Sequence, residues 1–338
     1  MLNLSAFKKT KKPVLHIHIG MNKTGTTALQ NYLEREEKAL GASGVLYPKA
    51  GRIGAAHYSL SASLGFCNPS VCPAWKVNLQ DLKRQFVREL SAKPDKVVFS
   101  SEDFILNRPA KPLLDFFEGY PLRIVVYLRR HDHWWISAYA QAVKMKHMPP
   151  WNLGPVGFIN HNRRCNKHYG DYRHLLDRWA KVVGKENVIV RPYEAGQNQP
   201  DLAADFLSAI ELKDKSLALP PMASRDNASL SVRTLHWMDI FQRVDTDPET
   251  RQKLLAHAHS LGAEDQRLPK EMLNPQFLRK LVDGYQADYE YIARHYLGRE
   301  DGRLFYDPLP EAVEDWKAPT WPTQPEVARE VLKAIMVR

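Results

Sequence analysis

Lysine, threonine and glycine crowd one stretch of the chain, Val14-Leu-His-Ile-His-Ile-Gly20-Met-Asn22-Lys23-Thr24-Gly25-Thr26-Thr27-Ala-Leu-Gln30. Val14, Leu15, Ile17 and Ile19 make an apolar run suited to a strand buried on both faces. Gly20 and Gly25 let the backbone turn tightly and approach a ligand closely. Beyond them Ala28, Leu29, Tyr32 and Leu33 recur at helical spacing. A helix start presents unpaired N–H groups and the positive end of its dipole, so it holds oxyanions. Lys23 adds a full charge, and the threonine hydroxyls add donors. Asn22, Lys23, Thr24, Gly25, Thr26 and Thr27 are therefore the expected lining of an anion cradle.

In the Walker pattern G-x-x-x-x-G-K-[ST], the lysine follows the second glycine. Here Lys23 precedes Gly25, and two threonines follow that glycine. The strict signature of an ATP-binding P-loop is absent, although its strand–loop–helix logic survives.

A second anion site is expected near Leu128-Arg129-Arg130-His131-Asp-His-Trp-Trp-Ile-Ser137-Ala-Tyr139. An arginine fork suits a phosphate dianion, and a serine hydroxyl adds one more bond. An ATP-using kinase needs one phosphate cradle and a metal. A donor with two separate anionic groups needs two cradles.

Lys23-Thr-Gly-Thr-Thr27 closely resembles the 5′-phosphosulfate-binding loop of sulfotransferases that use 3′-phosphoadenosine 5′-phosphosulfate (PAPS). Arg129 with Ser137 resembles the 3′-phosphate motif of the same family, with Tyr139 in support. The chain departs from that pattern at Arg130-His131, where many relatives carry Asn-Pro or Asp-Pro. Asn187-Val-Ile-Val-Arg-Pro-Tyr193-Glu194 and Arg225-Asp-Asn227-Ala-Ser-Leu230 are similar to two later segments of the superfamily. The resemblance covers roughly residues 13–240 and is closest to bacterial, carbohydrate-type enzymes. It implies transfer of a sulfuryl group from PAPS to a hydroxyl or amine, release of PAP, and no required metal. The implied acceptor is a glycan or a small hydroxylated molecule, acidic ones included.

Such a transfer needs a base for the acceptor proton. Two residues compete for that role. Glu102, in Phe99-Ser-Ser-Glu-Asp103, follows an expected strand and so sits at its carboxyl end. His57, in Gly54-Ala-Ala-His-Tyr58, lies in a loop region and has an imidazole that ordinarily titrates near neutrality. Lys23 is the expected partner of the leaving group. A P-loop-type kinase, with Val97–Asp103 as a degenerate magnesium-binding strand, is the first alternative. A non-catalytic module that holds anions or nucleic acid is the second.

The elements that must position these residues alternate between strand and helix. Apolar runs predict strands at 14–19, 44–48, 96–101, 122–128 and 187–191, separated by helices near 25–40, 78–92, 131–147, 169–183 and 202–210. The expected fold class is α/β: a P-loop-like parallel sheet flanked by helices, with a mostly helical C-terminal part. Ligands on such sheets bind at the carboxyl ends of the strands, where Lys23, Glu102 and Arg129 all fall. The expected organisation is a basic tail at 1–12, an α/β domain at 13–240 and a helical extension at 241–338.

Composition bounds the partners. A net charge of +10 suits an anionic donor or acceptor. No nucleic-acid-binding signature accompanies it. No apolar stretch approaches the roughly 18 residues of a membrane span, nor does a signal-length segment precede the first strand. The expectation is therefore a cytoplasmic protein. Cys67, Cys72 and Cys165 do not make a disulfide framework, and a reduced state is expected for Cys67 and Cys72. His16-x-His18, His131-x-His133 and His257-x-His259 have no carboxylate or cysteine at zinc-like spacing, so no metal site is expected among them. Trp134-Trp135 is expected to pack a helix rather than stack a sugar.

Overall fold

A computed structural model describes residues 12–67, 72–212, 220–222 and 230–336. Residues 1–11 of the expected tail and most of the Arg225–Leu230 segment lie outside the described residues. The fold is α/β. Five strands form one parallel sheet: β1 (Val14–His18), β2 (Val45–Leu46), β3 (Lys96–Ser100), β4 (Leu122–Leu128) and β5 (Val188–Pro192). Their order is β2-β3-β1-β4-β5, so β3 fills the place between β1 and the edge strand β2, while β4 and β5 add outward on the other side. Leu15, Ile17, Val97, Val98, Ile124 and Val125 are all fully buried, as a parallel sheet covered on both faces requires.

Alternation along the strands explains the two layers. Val98 and Val125 face one side, where Leu29, Tyr32 and Leu33 of the Thr26–Arg35 helix pack together with Leu202 and Phe206 of the Leu202–Ala209 helix. Phe99 points to the other side, against Phe86 of the Leu79–Glu89 helix and Phe117. Burying an aromatic such as Phe86 contributes about 2–3 kcal/mol. The expected helix at 25–40 is two helices, Thr26–Arg35 and Glu37–Ala42, which meet at Glu36.

The chain divides into two compact units. One holds the described residues up to Leu128 and those of 175–222, and so contains the whole sheet. The other holds Arg129–His174 and the described residues from Leu230 onward, and is helical. Its helices include His131–Met145, Gly154–Cys165, Val232–Phe241, Pro248–Leu261, Pro275–Asp283, Gln286–Leu297 and Gln324–Met336. Trp134 and Trp135 are fully buried there, packed on each other and on Tyr169. His131 stacks on Tyr285 with ring centroids 3.4 Å apart.

The expectation of a reduced state is corrected at Cys67, which is disulfide-bonded; Cys165 is free and exposed. Among the described residues, no helix is long and apolar enough to cross a membrane.

Candidate functional site

Strand register builds the site. His18 of β1 stands opposite Ser100 of β3. Two residues further on, Gly20 and Glu102 therefore come side by side at the carboxyl edge of the sheet. A Cβ placed on Gly20 would lie 3.3 Å from the Cβ of Glu102. Only a residue without a side chain lets the loop pass so close. The loop first continues the ladder to β4, with Ile19 N–H donating to Val125 O and Met21 N–H to Tyr127 O, each at 3.0 Å. It then turns sharply. Gly20, Lys23 and Gly25 all adopt positive φ (96°, 66° and 75°). The left-handed region is rare for a lysine, and its cost of about 1–2 kcal/mol must be met by the surrounding structure.

Gly25 closes the turn and caps the Thr26–Arg35 helix without a side-chain hydrogen bond. The first turn of that helix carries no acidic residue. No carboxylate within that turn opposes a negative charge at the helix start. Lys23 and Asn22 are half-buried beside it. Thr24 is buried, and its hydroxyl donates to Met21 O at 2.6 Å. That bond uses its one proton, so Thr24 braces the loop from within. Thr26 is buried and Thr27 exposed.

Glu102 opens a short 3-10 turn, Glu102–Ile105. Ser101 caps this turn by accepting from Asp103 N–H at 3.3 Å. The capping duty therefore falls on the serine, and the Glu102 carboxylate is available elsewhere. Gln30 Nε2 donates to one of its oxygens at 3.1 Å, and Tyr58 Oη to the other at 2.5 Å. Gln30 Nε2 also donates to Ser100 Oγ at 3.1 Å, and that hydroxyl lies 2.8 Å from His18 Nδ1. Burial and the Glu102 charge push the Tyr58 phenol well up, so it stays a donor. The Tyr58 ring stacks on Trp75, which is half-buried. Asp103 is pushed up to about 6, first by burial and then by the adjacent Glu102 charge.

His57, the other expected base, is corrected by its surroundings. It is fully buried. Its Nε2–H donates to Pro48 O at 2.9 Å, and its Nδ1 accepts from Ser100 N–H at 3.0 Å. Both nitrogens serve the backbone, and burial lowers the imidazole to about 3. A histidine so held joins the 48–57 loop to β3 and has no lone pair left for an acceptor proton.

In the helical unit, Arg129 Nη1 donates to Ser137 Oγ at 3.0 Å, the two residues being separated by the first two turns of the His131–Met145 helix. Tyr172 Oη fixes the Arg129 carbonyl at 2.6 Å. The neighbouring Arg130 is buried in a two-pronged pair with Asp132, both contacts at 2.9 Å. The arginine that meets the serine is thus Arg129, as its spacing suggests. Tyr139 is buried and donates to Asp239 at 2.8 Å, which is a helix-packing role.

Gln30 and Tyr58 escape a reading of motifs. Their signals are faint: Gln30 is a polar residue on the buried face set by Leu29 and Leu33, and Tyr58 simply follows His57. The structure also groups His168, Asp171 and His174, whose ligand atoms lie within 4.8 Å of one another.

No protein-family model matches the chain, and no solved structure matches it. A curated relative, an uncharacterized protein of Archaeoglobus fulgidus, is 25% identical over 246 residues. The match takes in 70% of this chain, which spans 61% of the length of that relative.

Proposed function

We propose that the chain is a sulfotransferase that moves a sulfuryl group from PAPS to a hydroxyl or amine, with a glycan or small hydroxylated molecule as acceptor. The observation that carries this reading is the position of Glu102 beside Gly20 of the loop, with its carboxylate held on both oxygens by Gln30 and Tyr58. A carboxylate beside an anion cradle is an unfavourable neighbour for the anion, so its presence needs a chemical reason. Removing a proton from an acceptor supplies one.

In this reading the acceptor oxygen attacks sulfur in line. The new S–O bond forms as the bond to the 5′-phosphate oxygen breaks, and PAP departs with that electron pair. Glu102 takes the acceptor proton. Lys23 offsets the charge on the departing oxygen, while the amides and hydroxyls of Gly25, Thr26 and Thr27 hold the oxyanions. Arg129 and Ser137 are the proposed holders of the 3′-phosphate. By analogy with phosphoryl transfer, positioning and charge stabilisation supply most of the rate.

Transfer of a labelled sulfuryl group from PAPS to a panel of hydroxylated acceptors in EDTA tests the proposal. Transfer that is lost in Lys23→Ala supports it. Magnesium-dependent transfer from ATP instead would make the chain a kinase. Binding of PAP or acidic glycan without any transfer would make it a binding module.

A further inference from the structure

The Arg129–Ser137 pair leaves one cluster of the helical unit unused. His168, Asp171 and His174 follow one another at intervals of three residues, across a turn and into the first turn of the Tyr172–Val183 helix. Gly170 makes that turn possible. It has φ of +81°, and a Cβ there would stand 2.8 Å from the Trp134 ring. Asp171 N–H then closes the turn on His168 O at 3.3 Å.

The carboxylate is pinned by the helix start. Asp171 Oδ1 accepts from His174 N–H at 2.9 Å, while Oδ2 lies 3.5 Å from His168 Nδ1. That second separation is long for a hydrogen bond. It is close to the edge of a tetrahedron of ligands around an ion, about 3.4 Å for bonds of about 2.0–2.1 Å. The imidazoles of His168 and His174 stack with centroids 3.6 Å apart, and all three ligand atoms lie within 4.8 Å of one another. The side chains of His168 and Asp171 keep 32% and 35% of their exposure, so an ion can enter and retain water.

We infer that His168, Asp171 and His174 bind one divalent ion of the zinc class, with water in the remaining position. Two imidazoles and a carboxylate suit Zn²⁺, or Co²⁺ in its place, whereas Ca²⁺ and Mg²⁺ take oxygen ligands. Loading opens the ring stack so that the two nitrogens converge. The bond from Asp171 Oδ1 to the backbone is the kind of outer support that orients a ligating carboxylate. This site is independent of the proposed sulfuryl transfer.

The test uses the untagged full chain, freed of metal with a chelator and titrated with Zn²⁺ by calorimetry and with Co²⁺ by visible absorption. The inference predicts a saturable site for a single equivalent, with the visible absorption of a low-coordinate cobalt ion. His168→Ala, His174→Ala and Asp171→Asn should each weaken binding about tenfold or more. Asparagine retains the acceptor at the helix start, so this variant separates ligation from capping. Far-UV circular dichroism confirms that each variant is folded. Absence of a saturable site would overturn the inference, as would a site equally strong in all three variants.

Discussion

Tyr58 and Glu102 are joined by a hydrogen bond of 2.5 Å from phenol to carboxylate. The other oxygen of Glu102 is held by Gln30, which belongs to the helix that begins at the Lys23–Thr27 loop. The carboxylate and the cradle are therefore coupled through a single buried amide. Gly20 completes the arrangement by leaving room for the loop beside Glu102.

If Glu102 is the base, Glu102→Gln should lower the rate of PAP release from PAPS with an acceptor by about 10²–10⁴-fold. Glutamine keeps the size but can accept from only one of Gln30 and Tyr58; the loop residues are untouched, so affinity for PAP should be unchanged. Steady-state kinetics and calorimetry separate the two effects. A variant with full rate would remove Glu102 from the mechanism.

Gln30→Leu leaves Ser100 Oγ and Glu102 Oε2 without their shared donor. Ser100 Oγ keeps His18, so the loss falls on the half-buried Glu102 carboxylate; an unpaired buried group costs about 1–3 kcal/mol, and the urea midpoint should fall by no more than that. If Glu102 is the base, turnover should fall as well, with little change in affinity for PAP. An unaltered midpoint would show that the amide carries no load.

Gly25→Ala meets two obstacles. A φ of 75° disfavours a side chain by about 1–2 kcal/mol, and the new Cβ would come 2.7 Å from Leu202 Cδ2. Leu202 can yield, so the protein should still fold. The loop should shift, and the affinity for PAP measured by calorimetry should fall. Unchanged affinity would separate the loop from donor binding.

Much of this arrangement is legible in the sequence. The apolar runs locate all five strands to within a few residues, because parallel strands buried on both faces are nearly continuous in Val, Ile and Leu. Arg129 and Ser137 meet as their spacing across a strand end and a helix start suggests. The Gly154–Cys165 helix is hidden by its Gly-Pro-Val-Gly opening and polar second half. The helices Pro275–Asp283 and Gln286–Leu297 are parted by a Gly-Tyr pair, a break that their continuous run of helix-favouring residues obscures. The fate of His57 is illegible for another reason. Its two partners are a carbonyl of Pro48 and an amide of Ser100, and backbone partners leave no mark in residue types.

Acid should unfold the protein early. His16, His18, His57, His131 and His236 are all lowered by burial, to about 4, 3, 3, 3 and 4 from an ordinary 6.5. Each lowered imidazole contributes stability that is fully present above pH 6.5 and is lost as pH falls towards its folded value, because the unfolded chain takes up the proton first. Five such groups give a slope on the order of 7 kcal/mol per pH unit near pH 5. Urea midpoints taken from pH 7.5 to pH 5 should therefore drop steeply. A flat profile would contradict the burial of these rings.

The proposed donor is a nucleotide with two separate anionic groups. Thermal melting in EDTA with PAP, ADP or AMP tests it most directly. A marked rise in Tm with PAP, little with ADP or AMP, and loss of the PAP response in Arg129→Ala are expected. An equal response to all three nucleotides, or a PAP response untouched in Arg129→Ala, would contradict it.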